Sequence, residues 1–167
     1  QINYHEFAKV ITKVGFFTEE FSADLYATGM GKAGLVARKF SATMSSLGFP
    51  MQFVHPAEAA HGDLGRFKPG AIVFAFSNSG KTAEVMCMLE QLKALYHSTA
   101  IIAVTQALDS PLGRISNGGI FYGDVTEACH LDMAPTTSTL VMDLVGNTVA
   151  ITLSEHKKFS KEDFQSR

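Results

Sequence analysis

The sequence predicts a doubly wound α/β fold, a five-stranded parallel sheet flanked by helices on both faces. Three observations predict it. Short runs that are apolar throughout alternate with longer runs of helical periodicity. Strands with no polar face are buried on both sides, as in a parallel sheet covered by right-handed crossover helices. The 167 residues, 46% hydrophobic, supply one full core, so a single domain over residues 1–167 is expected.

The elements follow in order. A helix is expected from about Tyr4 to Val14, where Phe7, Val10, Ile11 and Val14 share a face. "ADLYATG" (Ala23 to Gly29) is the first strand and leads into a helix from about Lys32 to Leu47. "MQFV" (Met51 to Val54) is the second strand, closed by His55-Pro56. The Pro69-Gly70 turn opens the third, "AIVFAF", followed by a helix over Thr82 to Leu95 with Val85, Met88, Leu89 and Leu92 inward. "TAIIAVT" (Thr99 to Thr105) is the fourth strand, Ser110 to Ser116 a short helix, and "GIFYGDV" (Gly119 to Val125) the fifth strand. A long helix from about Thr139 to His156 ends the pattern. Ligands of such sheets bind beyond the carboxyl ends of the strands, which directs attention to the loops after Thr28, Val54, Phe76, Thr105 and Val125.

Charge excludes some functions. Fourteen basic and sixteen acidic residues give a formal charge of −2 without basic clusters, so nucleic acid is not an expected partner. Cys87 and Cys129 stand far apart without a metal-ligand pattern, and no leader-like segment opens the chain, which points to a reducing cytoplasm. No apolar run approaches membrane-spanning length.

Two familiar patterns are decoys. "SNSGKT" ends like a nucleotide-binding loop, but the glycine required five positions before Gly80 is Ala75, inside the third strand. What remains is a strand turning through Ser77-Asn78-Ser79-Gly80 into a helix that starts near Thr82. That turn is an ordinary cap or a cradle for one phosphate monoester, with hydroxyls, unpaired N–H groups and the positive helix end. "GMGKAG" (Gly29 to Gly34) matches the dinucleotide fingerprint, yet the second strand ends in Val54-His55-Pro56 rather than in an acidic residue. Lys32 in that turn is a solvated lysine or a fixed charge for a small anion.

Two further stretches are dense in polar groups. "HPAEAAHGDLG" (His55 to Gly65) carries His55 and His61 with Glu58 and Asp63, at a spacing that fits no standard zinc signature. "VTEACHLDMAPTTST" (Val125 to Thr139) ends in Thr136, Thr137, Ser138 and Thr139, more hydroxyls than capping needs and suited to a sugar or phosphate. Met86 and Met88 read as core filler, and His5, His97 and His130 as solvated or hydrogen-bonded side chains.

With "GMGKAG", "HPAEAAHGDLG", "SNSGKTAE" and "EACHLDMAPTTST" in this order, the sequence resembles the sugar isomerase (SIS) domain family, and within it the arabinose 5-phosphate isomerases, from about Ala23 onward. The resemblance implies interconversion of D-arabinose 5-phosphate and D-ribulose 5-phosphate, and a homo-oligomer, dimer or tetramer, with active sites at subunit interfaces. It assigns catalytic roles to Lys32, Glu84 and Glu127. Substrate contacts fall on Gly31, Gly48, His61, Ser77, Asn78, Ser79, Gly80, Thr82, Thr137 and Ser138. No cofactor is required, although His55 matches a position that takes zinc or another divalent metal. Burial is expected to raise a catalytic glutamate's pKa toward working pH, with Lys32 stabilising the oxyanion of an enediolate.

The chain departs from the family at Ala33, at Lys81 and at His130-Leu131-Asp132-Met133, which bears on substrate preference. A histidine in a family His-Pro-Gly-Gly stretch aligns just after Arg167, and the paired regulatory CBS domains of many relatives are not in this chain. A SIS sensor module without catalysis, or an isomerase of another sugar phosphate, are the alternatives. A sensor needs the Ser77 to Thr82 cradle but not the two glutamates.

Overall fold

A computed structural model describes residues 3–166; of the expected 1–167 span, Gln1, Ile2 and Arg167 lie outside the described residues. The first helix, α1 (Tyr4–Phe21), starts where the Asn3 side chain accepts the His5 and Glu6 N–H groups. It ends at Ser22, which adopts a left-handed conformation with φ 49°. It runs seven residues beyond the expected end, because the apolar stripe Val10, Ile11, Val14 gives way to Phe16, Phe17 and Phe21, whose rings pack on one another partly outside the core.

The strands are β1 (Leu25–Gly29), β2 (Met51–Phe53), β3 (Ile72–Phe76), β4 (Ala100–Thr105) and β5 (Gly118–Phe121). They pair in parallel in the order β2-β1-β3-β4-β5. The helices between them are α2 (Gly31–Ser46), α3 (Pro56–Ala59), α4 (Ala83–Leu95) and α5 (Pro111–Ile115), and α6 (Thr137–His156) follows β5. Three features differ from the expectation. The polar 55–65 stretch is not all loop but holds α3 and a 3₁₀ turn at Asp63–Arg66, with Pro56 preset at the helix start. β5 ends at Phe121, four residues before Val125, so the site loop is longer. An additional helix, α7 (Lys161–Gln165), is closed by a reciprocal Ser160/Asp163 cap and is too short to leave a periodic signal.

Successive strand residues point to opposite faces, and this alternation divides the interior into two cores. Leu25, Ala27, Ile72, Phe74, Phe76, Ile102 and Val104 pack with α1, α2 and α6, where Phe40 meets the Phe74 and Phe76 rings at 5.1 and 5.4 Å. Tyr26, Val73, Ala75, Ile101 and Ala103 pack with α4 and α5 through Val85, Met88, Leu89, Leu92 and Leu112. The strand order reverses at β1, so the chain leaves β1 toward one face and leaves β3 toward the other.

Within the "GMGKAG" turn, Gly34 serves packing rather than a dinucleotide. A Cβ there would lie 2.4 Å from the Gly29 carbonyl oxygen, so the first turn of α2 sits directly on the end of β1. Gly34→Ala is therefore expected to destabilise the chain by about 2–4 kcal/mol in denaturant titration, despite alanine's better helix propensity. Unchanged stability would show that α2 moves off β1 without cost.

Candidate functional site

The loops leaving β1 and β3 diverge at the reversal point and enclose a cleft of about 570 Å³. Met30, Gly31, Lys32 and Ala33 line one side, Ser77, Asn78, Ser79 and Thr82 the floor, and Val125, Glu127, Asp132, Met133, Pro135, Ser138, Thr139 and Met142 the third wall. A larger hollow of about 690 Å³ between α1 and α6 is lined by groups such as Phe7, Ile11, Leu144 and Val145, without a carboxylate, amine or imidazole. Volume favours the apolar hollow, but the convergence of polar groups marks the smaller cleft as the chemical site.

Three helices begin at this cleft: α2, α4 and α6. The N-cap of α2 is Met30, and that of α4 is Thr82; neither side chain caps its helix. The unpaired first-turn N–H groups and the positive ends of both helix dipoles thus remain available to an anion. Ser77 Oγ, buried, lies 2.8 Å from Thr82 Oγ1 and accepts the Gly80 N–H at 3.1 Å, while Ser79 Oγ accepts the Lys81 N–H at 3.2 Å. These bonds hold the turn in one shape. Lys32 is exposed in the first turn of α2, and its ammonium pairs with no carboxylate among the described residues.

The third helix start is satisfied from within the chain. Glu127 Oε2 accepts the Thr136 N–H at 2.7 Å, the Thr136 hydroxyl at 3.1 Å and the Ser138 N–H at 3.2 Å. Burial pushes the Glu127 carboxyl up, but the hydrogen bonds it accepts from Ser138 and Thr136 outweigh it and hold its pKa down at about 2. This is the reverse of the expected rise. Capping explains it: a carboxylate nine residues upstream does what Thr136 to Thr139 were expected to do for themselves. The same loop is closed by Asp132, which accepts the Glu127 N–H at 2.7 Å from a left-handed conformation with φ 49°, and by the Thr136 hydroxyl, which accepts the Ala128 N–H at 2.9 Å.

The chain gathers Lys32, Glu127, Gly31, Ser77, Asn78, Ser79, Thr82 and Ser138 around the cleft. Gly80 closes the turn beneath them through its N–H bond to Ser77, and Thr137 is the first residue of α6 without lining the cleft. Glu84 is not brought in. It lies exposed in the first turn of α4 beside Pro56, Ala57 and Cys87, in a shallow hollow between α3 and α4. Gly48 is also remote: it terminates α2 ahead of β2 with φ +93°, and a Cβ would meet the Phe159 ring at 2.6 Å, a structural reason for glycine. His61 is exposed beyond α3.

His55 precedes α3, and its Nδ1 is buried without a hydrogen-bond partner. No group of three or more His, Cys, Asp or Glu side chains that could hold a metal occurs among the described residues. One orphaned imidazole nitrogen does not make a metal centre, so the residues of a single chain do not fit the ion. Sequence reasoning missed Tyr122, whose hydroxyl donates to Asn78 Oδ1 at 2.7 Å, because it is two positions past Ile120 in what read as ordinary strand.

Residues 22–154 match the family model for the SIS domain. The chain is 43% identical over 136 residues to the arabinose 5-phosphate isomerase KdsD of Pseudomonas aeruginosa, covering 81% of this chain and 41% of that protein. KdsD of Francisella tularensis is also 43% identical, over 137 residues, with 82% and 41% covered. The chain thus spans about two fifths of the length of these curated relatives. Among solved structures, a Bacteroides fragilis candidate phosphosugar isomerase involved in capsule formation superposes with a TM-score of 0.95 at 32% identity, covering 98% of this chain and 85% of that one. An Escherichia coli CFT073 protein in complex with arabinose 5-phosphate superposes at 0.85 with 34% identity, covering 97% and 91%.

The Glu127 cap makes stability depend on acid. Its folded pKa of about 2 lies below the ordinary 4.5, so its contribution is complete above about 4.5 and is lost as pH falls toward 2. Between those limits the chain should lose about 1–2 kcal/mol more than its Glu127→Gln variant does, measured by denaturant unfolding at stepped pH. Parallel pH profiles for the two proteins would disprove the cap.

Proposed function

The chain belongs to the SIS domain family, and from that premise we propose that it is the sugar-phosphate domain of an isomerase interconverting D-arabinose 5-phosphate and D-ribulose 5-phosphate. One observation carries the reading: the uncapped starts of α2 and α4, with Lys32, Ser77 and Thr82, converge on a single cleft. The floor suits a phosphate monoester, and the arabinose 5-phosphate bound in the E. coli CFT073 structure supports that choice of ligand.

The reaction moves a proton between adjacent carbons. A base removes the proton from C2 of the aldose, the electron pair forms a C1–C2 double bond, and O1 takes up a proton. Redelivery of a proton to C1, with loss of the proton on O2, yields the ketose carbonyl. The ammonium of Lys32 stabilises negative charge on the oxygens of this enediolate. Glu127, held ionised by α6, is a poor base for a carbon-bound proton in this geometry, and its bonds suit it to fixing the cleft wall. Glu84 accepts no such hydrogen bonds among the described residues. It serves as the base when a second copy presents the α3–α4 surface to the cleft, in keeping with active sites shared between subunits. No step here runs through a metal.

A second reading has one observation in its favour: a single chain brings only one of the two glutamates, Glu127 and not Glu84, to the cleft, as a phosphosugar sensor would. Solvent-deuterium exchange into C2 of D-arabinose 5-phosphate, followed by NMR with other sugar phosphates as controls, separates the two. Exchange confined to the pentose phosphate is expected; tight binding without exchange would favour the sensor.

Sharing of the site is tested by complementation. Lys32→Ala and Glu84→Gln chains should each lose at least about a hundredfold in kcat/KM, and mixing them after dissociation should restore part of the activity. Absence of any recovery would remove Glu84 from the reaction.

A further inference from the structure

Tyr122 follows β5 directly and is only 6% exposed, so its hydroxyl has to find a partner inside the protein. It donates to Asn78 Oδ1 at 2.7 Å. The phenol stays protonated across the physiological range, because burial and then the nearby Glu127 charge push its pKa up. The opposite orientation of the amide would leave a buried hydroxyl proton without an acceptor.

The backbone of Asn78 is engaged as well. Its carbonyl accepts the Gln106 N–H at 3.1 Å and the Thr105 hydroxyl at 3.0 Å. The three bonds engage both acceptor atoms of Asn78 and leave its amide N–H₂ as the side-chain group available to the cleft it lines. A dianion needs donors around it and is repelled by exposed carbonyl oxygens.

We infer that Tyr122 is a positioning residue, which locks the Asn78 amide with its N–H₂ group toward the phosphate held at the start of α4. The inference rests on the phosphosugar reading above and adds to it the device that sets the polarity of the anion subsite. Neither the decoy P-loop letters nor the family motif contains Tyr122.

The test is calorimetric titration of the full chain and its variants with D-arabinose 5-phosphate and, separately, with inorganic phosphate, alongside steady-state kinetics. Tyr122→Phe should raise Kd and KM about tenfold while kcat changes less than about twofold, the loss expected of one neutral hydrogen bond. Asn78→Ala should match it, and the double variant should be no worse than either single one. Asn78→Asp, which turns a carboxylate oxygen toward the ligand, should lose on the order of a hundredfold. The inference is overturned if Tyr122→Phe binds as the parent does, if the two losses add, or if Asn78→Asp is no worse than Asn78→Ala. The same ranking with inorganic phosphate but no isomerisation would uphold it while removing the proposed activity. A parent chain that binds neither probe would overturn both.

Discussion

Glu127 accepts the Thr136 and Ser138 N–H groups at the head of α6, and that pairing governs how the cleft is built. Three helices start at the same end of the sheet, each with a positive terminus seeking charge. Among the described residues, a carboxylate hydrogen-bonds the first N–H groups of α6 but those of neither α2 nor α4, so the N–H groups at these two starts stay open to an anion from outside. The bond also orders the long connection after β5, through Asp132 and Thr136, so that the wall carrying Asp132, Met133 and Ser138 stands where a ligand would meet it.

Much of this architecture was legible in the residues. All five strands are apolar through most of their length, which is the strongest signal a buried parallel sheet leaves, and each was read within a few residues of its bounds. Ser77, Ser79 and Thr82 were readable because the turn from β3 to α4 is continuous in sequence, and Lys32 because it stands one residue inside α2. The decoy fingerprints failed for a reason visible in space: Gly34 is small because α2 rests on the Gly29 carbonyl, and Gly80 because the turn packs against Ser110.

What escaped the sequence depends on contacts between distant segments. The tie from Tyr122 to Asn78 joins residues 44 positions apart, and that from Glu127 to α6 crosses a turn whose left-handed residue is Asp132 rather than glycine. The extent of α1 was obscured because its last turns carry phenylalanines that no longer follow the core stripe. The position of Glu84 illustrates another limit. Its place in a motif beside the cradle suggested that it joins the same cleft, yet helical geometry turns it toward α3 instead.

The two cores carry a consequence for how the cleft can change. The side bearing Lys32 is mounted on α2 and the layer around Phe40, whereas the side bearing Thr82 is mounted on α4 and the layer around Leu89. The sheet separates these layers, so a substitution in one moves one jaw and leaves the other anchored. Repacking beside α2 can therefore widen or narrow the space for a carbon chain while the turn that carries Ser77 and Thr82 stays put. The sheet acts as the fixed frame of an adjustable vice, in which new substrates can be accommodated by altering a single layer.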